Sequence, residues 1–184
     1  MPALNTVFPA GNLASQLQIV AWLIAIRNEL GVSRQVFFVG TGGYDTHDDQ
    51  ETRQPVLLQT VSQSLSAFYV ALTELSVGPN VTTFTMSDFS RTVTSNGDGS
   101  DHAWGGHQFV IGDAVIGQDI YGTMPDLAIG GPDDTRGGRI IPTISVDQYG
   151  ATLGRWFGVT EPELDQIHPN LANFPARDIG LMSA

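Results

Sequence analysis

The sequence predicts an α/β fold with a mostly parallel sheet flanked by helices. Three observations carry that expectation. Two long segments place apolar residues at helical spacing, two short apolar or β-branched runs alternate with them, and each run leads into a polar loop. Helix, strand, loop, helix, strand, loop is the order from which parallel sheets are wound. Ligands then bind beyond the carboxyl ends of the strands.

The first predicted helix covers residues 12–30, with Leu13, Leu17, Val20 and Ile24 on one face and Gly31 as its stop. Gln35–Gly40 reads as a buried strand because it is a short apolar run closed by glycines. A second helix is expected from Gln54 to Leu75, where Leu58, Val61, Leu65, Phe68, Leu72 and Leu75 recur at spacings of three and four. Val81–Met86 is rich in β-branched residues and reads as the next strand. Residues 94–100 form a turn region, and 108–112 with 114–116 are expected to pair as a small hairpin. Gly, Pro and Asp dominate 117–138, which reads as a long surface loop. Residues 139–146 suit an edge strand, since Pro142 cannot donate to a ladder. Asp147 is the expected N-cap of a helix through Phe157, and Gly158 closes it. A short helix over Glu161–Ile167 precedes His168-Pro169.

A chain of 184 residues is expected to form one domain over residues 1–184. The net charge is −11, from 14 Asp and 5 Glu against eight Arg and no Lys. Phosphate backbones need clustered cations, so nucleic acid is not an expected partner. There is no cysteine, which excludes disulfides, thiolate metal sites and a cysteine nucleophile. No run of about 18 apolar residues is present, so no membrane span is expected. The segment Met1–Asn5 lacks a basic stretch followed by an apolar one, so no export signal is expected.

Three of the four histidines lie in two Asp- and Gly-rich segments, Gly42-Gly43-Tyr44-Asp45-Thr46-His47 and Asp101-His102-Ala103-Trp104-Gly105-Gly106-His107. Carboxylate with neutral imidazole is a ligand set for zinc, manganese or iron, and equally an acid–base set. On an extended segment residues two apart share a side, so Asp45 and His47 can meet one ion. A turn in which Asp45 bonds backbone and His47 starts the next helix fits the same residues. Asp88 could ligate a second ion and Arg91 could clamp an anion; an Asp88–Arg91 ion pair fixing the loop is the alternative. Asp101, His102 and His107 form the densest cluster and read as ligation or catalysis, with Trp104 as a wall. His168 reads as structural or exposed, Asp133-Asp134 as a solvated pair, and Asp98-Gly99 as a turn.

Taken in order, the Gly-Gly-Tyr-Asp-Thr-His segment, Thr85–Thr92 (TMSDFSRT) and Asp-His-Ala-Trp-Gly-Gly-His resemble a large bacterial family of sulfatase-like proteins, many exported by the twin-arginine route. Residues 141–149 and 155–159 resemble that family's C-terminal region. The resemblance implies an alkaline-phosphatase-like fold of which this chain holds the C-terminal part, the N-terminal half with the nucleophile being absent. It implies two divalent ions, zinc or manganese, with calcium or magnesium open, and a small phosphate or sulfate ester as substrate. By the same resemblance Asp45 and His47 stand at a metal pair, Asp88 at the next carboxylate, and His102 or His107 at the final histidine. The family's Ser-Glu-Phe-Gly-Arg loop is here Ser87-Asp88-Phe89-Ser90-Arg91, with a carboxylate one methylene shorter. It further implies a periplasmic or exported setting, and a homo-oligomer or second chain completing the fold.

The expected function is therefore a metal-dependent hydrolase domain. Asp45, His47, Asp88, Asp101 and His107 are its expected ligands, with Arg91 and His102 as catalytic groups. The alternative is a metal-binding or scaffold module without turnover.

Overall fold

A computed structural model describes residues 4–183. The chain divides into two compact units. The first takes in the chain up to Val81 together with Ser95–Asp101, and the second takes in Thr82–Thr94 and the chain from His102 onward.

In the first unit, α1 (Asn12–Ala25) buries Leu13, Leu17, Val20, Ala21 and Ile24. The expected helix over 12–30 is interrupted at Ile26. A short α2 (Arg27–Leu30) follows and ends on Gly31 at φ 66°, where only glycine is unstrained. The longer α3 (Gln50–Glu74) packs on α1 through Phe68, Ala71 and Leu72. By length and composition α3 is also apolar enough to cross a membrane, a property shared with core helices of globular proteins.

The run 35–40 does not become a strand. Its exposure alternates with period two: Phe37 and Val39 pack on the helical core, while Val36 and Phe38 are 78% and 95% exposed. It belongs to no ladder among the described residues. At its end Gly40 is held by the Gln16 amide, which accepts from Gly40 N at 3.0 Å and donates to Gly40 O at 2.8 Å.

In the second unit, β1 (Thr83–Phe84) pairs antiparallel with β4 (Val110–Ile111), Thr83 opposite Ile111. A second two-stranded sheet joins β2 (Ser90–Ser95) to β3 (Ser100–Ala103), and its tip belongs to the first unit. The four residues between these strands permit only a hairpin. Then come α4 (Val146–Phe157) and α5 (Glu161–Ile167). Tyr149 and Leu153 of α4 pack with Leu181, and Ala151 packs with Leu164 and Leu171. Burial pushes the Tyr149 phenol well above its ordinary range, and its hydroxyl donates to Thr85 O at 3.3 Å.

The expected mostly parallel, alkaline-phosphatase-like sheet is therefore overturned: the described residues form only two sheets of two strands each. Thr83–Thr85 turn their backbone groups to residues 109–111 in antiparallel register, with Thr85 N donating to Phe109 O. The hairpin expected within 108–116 does not form either. Val110–Ile111 pair with β1, and Val115 bridges Met182. In place of an edge strand over 139–146, Ile140 makes one bridge to Asp134 and Val146 opens α4.

Candidate functional site

A cluster of chemically active groups lies in the first unit and starts from a tight turn. Thr46 N donates to Tyr44 O at 2.9 Å, a turn of three residues with Asp45 at its apex. Thr46 is fully buried, so Asp45 and His47 on either side of it remain exposed. Gly43, at φ 97°, leads into the turn, where a Cβ would stand 3.2 Å from Leu57. Burial raises the Tyr44 phenol, partly offset by the Thr41 hydroxyl. Asp49 then takes a left-handed conformation and α3 begins.

The tip of the β2–β3 hairpin lies on this turn. Gln50 N, a free donor at the start of α3, finds Asp98 O at 3.0 Å. Ser100 N donates to Thr46 O at 3.3 Å, and Ser100 Oγ to Gln50 Oε1 at 2.7 Å. Gly99 makes this approach possible. A Cβ there would overlap the carbonyl of His47 and stand 2.6 Å from Thr46 O.

The result is one imidazole between two carboxylates. His47 Nε2 lies 3.0 Å from Asp45 Oδ1, and His47 Nδ1 lies 3.3 Å from Asp101 Oδ1. All three side chains are about half exposed, at 47%, 59% and 51% for His47, Asp45 and Asp101. Asn96 Nδ2 donates to the same Asp101 oxygen at 3.2 Å. Arg53 is engaged beside the turn, with Asp48 at 2.9 Å.

The other sequence-predicted residues belong to the second unit. Asp88 is exposed in the bend before β2. Arg91, on β2, places its guanidinium carbon 5.7 Å from the centre of the Phe89 ring. His102, on β3, stacks on Phe89 with centroids 4.3 Å apart and planes at 10°. His107 is exposed beyond Gly105-Gly106. Trp104 is 68% exposed and donates from Nε1 to Thr135 Oγ1 at 3.1 Å. His168 is structural as expected, resting on Gly150 and 3.6 Å from Asp147. Asp134 is engaged by its own loop. It accepts backbone N–H groups from Gly130, Arg136, Gly138 and Arg139, and these hold its carboxyl below the ordinary range, Gly130 most strongly.

Sequence reasoning missed Asn96, Gln50 and Gln16. For Asn96 a signal was present: Asn96-Gly97-Asp98-Gly99 is a hairpin-turn sequence, which places Asp101 just after the turn.

A family model described as a protein of unknown function, DUF1501, matches residues 14–169. No curated protein and no solved structure matches the chain.

Proposed function

The chain belongs to the DUF1501 family, and we propose that Asp45 and His47 bind a divalent cation, with Asp101 orienting the imidazole, in a hydrolase of phosphate or sulfate esters. The observation that carries this reading is His47 between two carboxylate oxygens. A neutral imidazole has a single N–H and can donate to only one of them. Its other nitrogen then meets a carboxylate lone pair to lone pair. A second ring proton or a cation shared with that carboxylate relieves the contact.

The donors fit a cation. With bonds of about 2.0–2.2 Å, an oxygen and a nitrogen 3.0 Å apart are neighbouring ligands at roughly a right angle. Metal-bound histidines commonly donate their second N–H to a carboxylate, the part that Asp101 plays at Nδ1. Carboxylate with imidazole suits zinc or manganese.

A bound cation would supply Lewis acidity and a water acidic enough to attack at neutral pH. The chain's own groups would bind and orient. Asp45 supplies charge, Asp101 fixes the ring, and the buried Thr46 hydroxyl is withheld from the reaction. The Ser100 hydroxyl is engaged by Gln50. The attacking group in this reading is therefore water. The engagement of these two hydroxyls favours a second reading, a cation-binding module without turnover.

Calorimetric titration with Zn(II) and Mn(II), alongside assays on aryl phosphate and aryl sulfate, tests both. Asp45→Ala and His47→Ala are each expected to weaken cation binding at least tenfold and to abolish hydrolysis. Binding without hydrolysis leaves the second reading. An absence of binding in the wild type overturns both.

A further inference from the structure

We infer that Asn96 is a positioning residue of the cation site: it fixes the Asp101 carboxylate so that Asp101 accepts a hydrogen bond from the Nδ1–H of His47 and leaves Nε2 to the cation. The inference rests on the cation-binding reading above and extends it to a residue outside the ligand set.

The Asn96 amide has a fixed orientation. Its Oδ1 accepts from Gly99 N at 3.1 Å, and its Nδ2 donates to Asp101 Oδ1 at 3.2 Å. Turning the amide over would set its NH2 against the Gly99 N–H and its oxygen against a carboxylate. Only one orientation makes both bonds. Asn96 thus ties two points of the hairpin tip together. One is Gly99, whose lack of a Cβ lets the tip lie on the His47 backbone. The other is Asp101, the carboxylate on His47 Nδ1. Further bonds, Asn96 N to Gly99 O at 3.1 Å and Ser95 Oγ to Gly99 O at 3.0 Å, close the turn around this side chain.

The chain of contacts therefore runs from Asn96 through Asp101 to His47 and ends at Asp45. Asp101 Oδ1 receives both the Asn96 amide and His47 Nδ1. With one acceptor held in place, the N–H of the neutral ring is drawn to Nδ1. The lone pair is then at Nε2, 3.0 Å from Asp45. Partners of this kind around a metal-bound histidine typically change affinity by about 10–100-fold.

Asn96→Asp separates positioning from bulk electrostatics, because the two act in opposite directions. The change keeps the size of the side chain and an acceptor for Gly99 N. It replaces the donor to Asp101 with a second negative charge, and added negative charge by itself strengthens cation binding. We expect Zn(II) affinity to fall about 10–100-fold in Asn96→Asp. In the Zn(II)-loaded, 15N-labelled protein we expect the hydrogen-bonded Nδ1 proton of His47 to lose its protection from exchange. Asn96→Ala, which adds no charge, should show both effects. It decides the matter if Asn96→Asp does not fold by circular dichroism. Unchanged or tighter Zn(II) binding in the folded variants, with the Nδ1 proton still protected, overturns the inference while leaving the site intact. A wild type that binds no Zn(II) sinks the underlying reading, and this inference with it.

Discussion

His47 is placed by residues that carry no charge. Thr46 buries itself between the two exposed donors, and Gly99 gives the hairpin tip room to lie on the His47 backbone. In Gly99→Ala the new methyl would overlap the His47 carbonyl, so the tip must lift and take Asp101 with it. The expected cost is about 1–3 kcal/mol in urea unfolding, as for other overpacked positions. Zn(II) affinity should fall at least tenfold by calorimetry, and a full-affinity Gly99→Ala protein would show that the tip does not set the site. At this scale the sequence was partly readable. Asp45 and His47 stood out because two residues apart on an extended turn means one side. Asp101 stood out by its neighbours as a ligand, and its Oδ1 lies 3.3 Å from His47 Nδ1. Asn96 was hidden inside a turn signal, because a side chain that bonds across a turn leaves no periodic trace. Asp88, Arg91 and His107 were singled out by their places after a strand and beyond Gly105-Gly106, and all three lie in the second unit.

Helices were more legible than strands for a physical reason. A helix satisfies its backbone within the segment, so its spacing and caps are local facts. Even so, the N-cap of α4 is Ser145 rather than Asp147. Ser145 Oγ accepts from Gln148 N at 3.1 Å, and Gln148 Oε1 accepts from Ser145 N at 3.0 Å. This Ser-x-x-Gln box was written in the sequence beside the stronger-looking Asp. Ser145→Ala should destabilise by about 1 kcal/mol in chemical unfolding. A Ser145→Ala protein as stable as wild type would mean that Asp147 takes over the cap. At the far end of α3, Glu74 accepts from Asn5 N, Asn5 Nδ2, Thr6 N and Thr6 Oγ1. These bonds, led by the Asn5 backbone N–H, hold its carboxyl below the ordinary range. The sign follows from linkage. The lowered folded-state value gives stability that is present above the unfolded carboxyl's range and is lost as pH falls through the lowered value. Glu74→Gln should therefore flatten the acid limb of the melting-temperature profile, and an unchanged limb would exclude Glu74 as a contributor. Strands, by contrast, need a partner that lies elsewhere in the chain. Runs 35–40 and 81–86 both carry strand composition, yet only Thr83–Phe84 forms a ladder, and its partner is β4.

At the scale of the whole molecule, the expected sheet gives way to two units with separate apolar clusters, one around α1 and α3 and the others around α4 and α5. The acidic balance of −11 with no Lys leaves few of the charges that proteins use to guard an open strand edge. The run 35–40 has none between Arg34 and Asp45, and no proline. Its backbone joins no ladder, and Phe38 is almost wholly exposed. Short, uncharged, β-prone segments of this kind are where chains stack into fibrils. Phe38→Lys should raise the protein concentration at which light scattering begins, and an unchanged onset would move the hazard elsewhere. For anyone keeping this protein in a tube, the run 35–40 is then the first place to look when it clouds, and a single lysine there is the first remedy to try.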